Sequence, residues 1–421
     1  MKRLCACVVV AGILGVVASP PAHARQPSSS SPSQATSTAN QPKVECLPPP
    51  QTTDRSVPWA QRQLVPERIW PLTDGSGITV AVVDTGVDGN VPQLRGGKVL
   101  AGVDTTKPGK APANTDCFGH GTFVAGIIAA SPTAGTGYAG VAPGVRILPI
   151  RCATTDAPNQ PGTLTPAGMA LGIRAAVDGG ARVVNVSAST TEQNRELAEA
   201  VAYADSKDVV VVASAANSAK NGDPVTYPAA YGSVIAVGAV DESGQRADFS
   251  QTGPFVSLVA PGVDVLGLGP GGPGHWKGSG TSYSAPFVTG TAALVRAYHP
   301  RLTAAQVKHR LLTTANHPAV PLPDPGLGWG TVNPMAAVTT VLPEEGAASL
   351  VTVDPPDASR VEVLPADELG PALAVGGVFG GLCVLATLAL LIRLYSASRK
   401  RRWSPARVVE ISVPTNDTPG Q

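Results

Sequence analysis

Short apolar runs rich in β-branched residues recur through the middle of the chain, and helical patterns separate them. The runs occupy residues 78–83, 145–150, 182–186, 209–213 and 234–240. They do not alternate between apolar and polar residues, which is typical of strands buried on both faces of a parallel sheet. Helical patterns cover residues 121–130, 166–178, 192–206, 281–298 and 303–314. This order predicts an α/β fold with a mainly parallel sheet between helices, and sites in such folds gather at the carboxyl ends of the strands.

The first 24 residues have the pattern of a secretory signal peptide. Lys2 and Arg3 precede an apolar core at residues 4–18, and Ala22-His23-Ala24 fits a small-x-small cleavage site. The alternative is an uncleaved anchor helix. Under either interpretation we expect the chain that follows to leave the cytoplasm.

A second targeting feature lies near the other end, at residues 371–392. This apolar stretch is long enough to cross a bilayer, and Arg393 and the basic residues 399–402 follow it. Positively charged flanks stay in the cytoplasm. The pattern predicts one transmembrane helix, a cytoplasmic tail at 393–421 and an α/β domain outside the cell membrane. A buried core helix is the alternative, and the basic cluster argues against it.

The remaining boundaries follow from composition. Residues 25–45 are mostly Ser, Pro, Gln and Thr, which predicts a disordered linker. Residues 46–75 regain tryptophan and branched apolar side chains, which indicates an N-terminal extension packed on the main domain at 76–341. The acidic, proline-bearing residues 342–370 have the composition of a stalk. A net charge of only +1 gives no electrostatic support for binding nucleic acid.

Three cysteines fall in the exported region: Cys46, Cys117 and Cys152. An odd number allows one disulfide and leaves one thiol, and three pairings are open. We favour Cys46–Cys117 because this bond would tie the extension to the domain. The chain has no Cys/His spacing typical of zinc sites, so we expect no metal and no cofactor. Structural calcium stays open, although no ligand cluster can be named.

Three polar residues stand where predicted strands end or helices begin. Asp84 directly follows the first strand, His120 lies between two glycines in Gly119-His-Gly121, and Asn217 ends the run 209–217. Taken singly, the Asp and Asn are commonly turn or cap residues. Glycines beside His120 let the backbone approach a ligand closely.

The stretch 278–286, Gly-Ser-Gly-Thr-Ser-Tyr-Ser-Ala-Pro, ends a loop and opens a helix. One interpretation is a helix N-cap that carries more hydroxyls than a cap needs. The other is a serine nucleophile at a helix N-terminus, where backbone N–H groups can stabilise an oxyanion. The combination with Asp84, His120 and Asn217 favours the second. Serine needs a base, histidine can serve as that base, a carboxylate orients the imidazole, and an amide can donate to the oxyanion.

With these residues the chain resembles the subtilisin-like serine proteases, or subtilases. The resemblance is carried by the blocks at residues 80–86, 119–126, 210–217 and 280–286, and it covers residues 70–338. It implies that Asp84 orients His120, that His120 is the general base and that Ser282 is the nucleophile. Asn217 and the backbone N–H of Ser282 would form the oxyanion hole, and Ser284 would not be the nucleophile.

Two positions depart from the family pattern, which often has glycine at both. Ala216 precedes the oxyanion Asn, and Ser189 follows the Asn-x-Ser-x stretch. The resemblance implies that Ser187, Ala188 and Ser189 line the substrate cleft. Ser189 would narrow or reshape that cleft and lower general proteolytic activity.

The whole organisation is similar to that of the mycosins, the membrane-anchored proteases of type VII (ESX) secretion systems. This resemblance implies a serine endopeptidase that acts on proteins or peptides outside the cell membrane, with the secretion membrane complex as its partner. It also implies an extension that wraps the domain instead of acting as a removable inhibitor. The alternative function is a structural stabiliser of that complex with a secondary protease site. The membrane span argues against a general degradative exoprotease.

Overall fold

The computed structural model describes residues 46–109, 111–155, 162 and 164–346. The predicted signal peptide, linker, transmembrane span and cytoplasmic tail therefore lie outside the described residues, as does the stalk beyond residue 346. In the part of the chain that is described, no helix combines the length and the apolar character needed to cross a membrane.

Nine strands and eight α-helices follow one another along the described chain. The strands are β1 (Thr79–Asp84), β2 (Val103–Asp104), β3 (Arg146–Arg151), β4 (Val183–Val186), β5 (Val210–Ser214), β6 (Ile235–Val240), β7 (Val256–Pro261), β8 (Val265–Leu268) and β9 (His275–Gly278). The α-helices are α1 (Trp59–Leu64), α2 (His120–Ala129), α3 (Pro166–Asp178), α4 (Arg195–Ser206), α5 (Thr281–Tyr298), α6 (Ala304–Thr313), α7 (Pro334–Thr339) and α8 (Pro343–Gly346).

Seven strands form one sheet in the order β2-β3-β1-β4-β5-β6-β7, and every pair in it is parallel. The prediction of an α/β fold with a mainly parallel sheet is confirmed. The strands β8 and β9 form a separate antiparallel hairpin. No pattern in the sequence predicts this hairpin, or β2 and β7 at the two edges of the sheet.

The sheet has a hydrophobic core on each face. Val80 and Val82 of β1 belong to the core that contains α2 and α5, whereas Ala81 and Val83 belong to the core that contains α3 and α4. All four side chains are fully buried. Successive side chains of a strand point to opposite faces, so a strand covered on both sides is mainly apolar on both. This is why the runs show no alternation.

The strand order reverses at β1, which makes the carboxyl end of this strand the expected position of a site. β1 pairs with β3 on one side and with β4 on the other. In open parallel sheets the crevice at such a switch point lies outside the carboxyl ends of the strands and is the usual ligand site. Asp84 is the last residue of β1 and therefore stands at this crevice.

The N-terminal extension, residues 46–75, lies against the rest of the described chain through backbone contacts and a disulfide. Cys46 and Cys117 form an S–S bond of 1.95 Å, and Cys152 is a free, buried thiol. The N–H of Leu47 donates to the carbonyl of Cys117 at 3.0 Å. The indole N–H of Trp59 donates to Val263 at 3.2 Å, so contacts continue along the extension.

Candidate active site

Asp84 is held at the end of β1 with its carboxylate turned toward α2. Both of its oxygens face Nδ1 of His120, at 2.8 and 2.9 Å. Oδ1 also accepts a hydrogen bond from the N–H of Thr85 at 2.8 Å. The two side chains are nearly buried, with 4% of the aspartate and 8% of the histidine exposed. A buried carboxylate at this distance fixes the orientation of the imidazole.

The glycines on either side of His120 are required by the way the chain passes through this site. Gly119 caps α2 with φ of +92°, a left-handed conformation that favours glycine. At Gly121 a Cβ would lie 2.0 Å from the carbonyl oxygen of Gly86. The helix therefore begins directly against the loop after β1, and this close approach brings His120 to Asp84.

Behind this pair, Asp116 organises the loop that leads into α2. Its carboxylate accepts hydrogen bonds from the N–H of Gly119 at 2.8 Å, the N–H of Thr122 at 2.9 Å and the hydroxyl of Thr85 at 3.0 Å. Burial raises the pKa of the Asp116 carboxyl, the hydrogen bonds from Gly119 and Thr122 oppose this, and the charge of Asp84 adds to it. Nothing in the sequence distinguishes Asp116, because an aspartate before a glycine-rich turn is common.

Ser282 is the second residue of α5 and is partly exposed. Its carbonyl oxygen accepts a hydrogen bond from the hydroxyl of Ser187 at 2.7 Å. Ser187 in turn accepts from the side-chain amide of Asn185 at 2.8 Å, and Asn185 accepts from Thr289 of α5 at 2.8 Å. This chain of bonds ties the start of α5 to the end of β4.

Asn217 presents its two amide atoms to different partners. Its Oδ1 accepts from the backbone N–H of Thr281 at 2.8 Å and from the hydroxyl of Thr281 at 2.9 Å. A Cβ placed on Gly280 would lie 3.3 Å from Asn217 Nδ2 and 3.1 Å from Ser282 Oγ. The amide N–H₂ and the serine hydroxyl thus border the same small space beside Gly280, which is the arrangement an oxyanion hole requires.

Ala216, before this asparagine, adopts φ of +84° although it is not a glycine. Such a conformation is uncommon for a residue with a side chain and costs about 1–2 kcal/mol. The N–H of Ala216 donates to the hydroxyl of Thr281 at 3.0 Å, which helps to hold it in place. Thr281 therefore connects Ala216 and Asn217 to the start of α5. Its position beside Ser282 in the sequence does not by itself indicate this role.

A cavity of about 310 Å³ brings the predicted residues together. Its lining includes Asp84, His120, Asn217, Ser282 and the predicted cleft residues Ser187, Ala188 and Ser189. Ser284 lies elsewhere: it is fully buried, and its Oγ has no hydrogen-bond partner among the described residues. Of the residues that the structure describes, no three His, Cys, Asp or Glu side chains cluster in a way that could hold a metal ion.

Comparison with known proteins agrees with this geometry. The model of the subtilase family matches residues 75–330. Mycosin-4 of Mycobacterium tuberculosis (strain ATCC 25618 / H37Rv) is 38% identical over 385 residues, which cover 81% of this chain and 81% of the relative. The chain belongs to the subtilase family and, within it, to the mycosins.

Two further mycosins extend the comparison. Mycosin-1 of Mycolicibacterium smegmatis (strain ATCC 700084 / mc(2)155) is 32% identical over 465 residues, covering 95% of this chain and 99% of the relative. A solved structure of the serine protease MycP1, an essential component of the type VII (ESX-1) secretion system, matches with a TM-score of 0.60 and 33% identity. It covers 70% of this chain and 93% of the solved one. The subtilisin-like fold of this mycosin is thereby confirmed.

Proposed function

We propose that this protein is a serine endopeptidase that hydrolyses peptide bonds through an acyl-enzyme on Ser282. The observation that carries the proposal is the contact between both Asp84 oxygens and Nδ1 of His120, at 2.8 and 2.9 Å, in the same cavity as Ser282 and Asn217. Because the carboxylate can only accept, Nδ1 carries the proton. The other ring nitrogen, Nε2, then serves as the base.

In the first half of the reaction, Nε2 of His120 takes the proton of Ser282 Oγ as Oγ attacks the carbonyl carbon of the substrate. The carbonyl oxygen becomes an oxyanion. When the tetrahedral intermediate collapses, the C–N bond breaks and His120 gives its proton to the departing amine. In the second half, a water molecule attacks the acyl-enzyme, His120 takes its proton, and Ser282 recovers a proton as the acid product leaves.

Two donors would stabilise the oxyanion: Nδ2 of Asn217 and the backbone N–H of Ser282. The bonds from Thr281 to Oδ1 orient the amide of Asn217 so that the N–H₂ group is directed away from Thr281. Ser282 lies in the first turn of α5, where the N–H groups have no partner within the helix and the helix dipole is positive. Asp84 stabilises the imidazolium that forms during each half of the reaction.

The proposal includes a location and a partner. We propose that the enzyme is anchored to the cell membrane by residues 371–392, with its catalytic domain outside the cytoplasm, and that it works with a type VII secretion membrane complex on protein or peptide substrates. The support is the signal-like residues 1–24, the basic residues after the apolar span, and the similarity to mycosins. Cell fractionation combined with protease accessibility of the catalytic domain and the tail in intact cells tests this topology.

A fluorophosphonate probe tests the catalytic proposal directly, because it reacts with an activated serine. We expect the full chain to be labelled, Ser282→Ala to be unlabelled, and Ser284→Ala to be labelled like the unaltered protein. Ser284 is a matched control because it lies two residues further along the same helix, buried and outside the cavity. An unaltered protein that never reacts would contradict the proposal.

A second candidate function is that of a structural stabiliser of the secretion complex, with a dispensable protease site. Ala216 favours it, since this residue directly before Asn217 has a positive φ that would be free of strain only with glycine. The test is secretion in cells that carry Ser282→Ala. If the deletion abolishes secretion while this variant sustains both secretion and substrate processing, stabilisation is the main function.

A further inference from the structure

A second cavity adjoins the catalytic one, on the side that faces the N-terminal extension. We call it the Leu47 cavity, and its walls include Leu47, Pro49, Thr85, Phe118, Arg151 and Pro270. Its volume is about 650 Å³, within the range of about 300–1,000 Å³ that is usual for ligand pockets. Thr85 lines both cavities, so the two are neighbours at the loop that follows β1.

The extension wall of this cavity is fixed in place. The disulfide from Cys46 to Cys117 lies immediately before Leu47, and the N–H of Leu47 donates to the carbonyl of Cys117 at 3.0 Å. Pro49 packs on the β8–β9 hairpin, where a Cβ at Gly271 would lie 2.9 Å from its ring. A wall with both a covalent and a hydrogen-bonded attachment can form part of a specific binding site.

The charged side chains around the cavity already have partners. Arg151 pairs with Asp104 at 2.9 Å, and Lys107 lies 3.7 Å from the same carboxylate. The remaining carboxylates accept backbone hydrogen bonds, Asp88 from Gly271 at 2.8 Å and Asp116 from Gly119 at 2.8 Å. These contacts compete with an ionic ligand, so the charges do not favour one.

The uncovered surface in this cavity is apolar. Leu47 is 45% exposed, although it is a large hydrophobic residue on a fixed segment. The other apolar members of the wall are Pro49, Phe118 and Pro270. Covering such surface with another apolar group is favourable because it removes both surfaces from water.

We propose that the Leu47 cavity is a substrate subsite that binds a large apolar side chain of the peptide, and that the N-terminal extension supplies one of its walls. The extension thereby takes part in substrate selection. This inference rests on the proposed peptidase function. Its test measures peptide binding instead of turnover, so that the subsite proposal and the peptidase proposal can fail separately.

The experiment measures the binding of fluorescent peptides to the full chain carrying Ser282→Ala. Each peptide pair differs only by Leu or Ala at one position, and the position is moved along the peptide. At one position we expect Leu to bind about 10- to 100-fold more tightly than Ala. Adding Leu47→Asp should abolish this preference, whereas Leu47→Met should retain it.

Val57→Asp is the matched control. Val57 is 44% exposed and lies on the same extension, but it does not line the Leu47 cavity, so its replacement should leave the preference for Leu unchanged. The proposal is overturned if no position favours Leu, if the preference survives Leu47→Asp, or if Val57→Asp removes it equally. Fluorophosphonate labelling of the protein with Ser282 intact reports separately on the peptidase proposal.

Discussion

Both carboxylate oxygens of Asp84 lie within 2.9 Å of Nδ1 of His120. This contact joins the last residue of β1 to the first residue of α2, across 35 intervening positions that include a disulfide-bonded cysteine. It determines which imidazole nitrogen holds the proton. The same contact is therefore the first target for mutation.

Asp84→Asn should abolish most of the activity while leaving the fold intact. An amide N–H₂ in place of a carboxylate oxygen favours the tautomer with the proton on Nε2, and that nitrogen then has no lone pair for Ser282. We expect kcat to fall by about 10⁴-fold, the order known for this change in another triad. Peptide hydrolysis measures the loss and circular dichroism checks the fold; near-normal activity would contradict the assigned role of Asp84.

Two substitutions separate the proposed oxyanion role of Asn217 from its structural role. Asn217→Asp retains an acceptor for Thr281 but removes the Nδ2 donor, whereas Asn217→Ala removes both. We expect Asn217→Ala to lower kcat by about 10²–10³-fold, the loss known for a single oxyanion donor in a subtilisin. Asn217→Asp should lower it by at least as much, because its carboxylate also repels the oxyanion. Only the alanine variant should also lower the thermal midpoint. Equal activity of the aspartate variant and the unaltered protein would exclude the oxyanion role.

Ala216→Gly should stabilise the protein by about 1 kcal/mol, because glycine adopts φ of +84° without steric strain. Urea unfolding measures the change. The control is Ala215→Gly at the neighbouring buried residue, whose φ is not positive. It should destabilise the protein, since glycine there adds entropy to the unfolded chain and removes a fully buried methyl group. A destabilised Ala216→Gly variant would mean that the methyl group contributes more through packing than it costs in strain.

Loss of the disulfide should reduce stability more than loss of the other cysteine in this region. The bond closes a loop with a sequence separation of 71, for which chain entropy accounts for about 4 kcal/mol. We therefore expect the double variant Cys46→Ser, Cys117→Ser to lose about that much free energy of unfolding. Cys152→Ala, at a buried free thiol, should lose only about 1–2 kcal/mol. Similar losses in the double variant and in Cys152→Ala would show that the disulfide adds little to the free energy of unfolding.

Acid should loosen the extension near His275. Nδ1 of this buried histidine accepts the N–H of Asp54 at 3.0 Å, which requires an unprotonated nitrogen. Burial lowers the pKa of His275 below its ordinary value of 6.5, and the Asp54 carboxylate opposes the shift. When the extension is detached and His275 is exposed, the imidazole binds a proton more readily than in the folded protein. The stability that unprotonated His275 contributes is therefore complete above about pH 6.5 and is lost as the pH falls below it.

Hydrogen exchange at the amide of Asp54 measures this effect. We expect faster opening at pH 5 than at pH 7.5, after correction for the intrinsic exchange rate. In His275→Asn the side-chain oxygen can accept the same hydrogen bond but does not titrate, so the difference between the two pH values should largely disappear. A pH dependence that persists in this variant would assign the effect to another group.

The helices show which local signals in the sequence predict the structure. α3 and α5 have the bounds that their patterns predict. α3 begins with a strong local signal, because the side chain of Thr165 caps it and Pro166 follows. α4 begins at Arg195, three residues later than predicted, because the side chain of Asn194 caps it by accepting the N–H of Leu197. The edge strand β7 escaped prediction because it contains a serine and ends in a proline, which an edge tolerates but an apolar pattern does not reveal.

The sequence alone determined the two-sided burial of the central strands, the placement of Asp84, His120, Asn217 and Ser282 at strand ends and helix starts, and the family. These properties follow from local periodicity and from residue types that particular backbone conformations require. The tertiary structure decided the distances at the site, the Thr281 and Asp116 networks, and the cavity that Leu47 borders. Such contacts join segments far apart in the chain, and they depend on which elements become neighbours when the sheet and the extension are assembled.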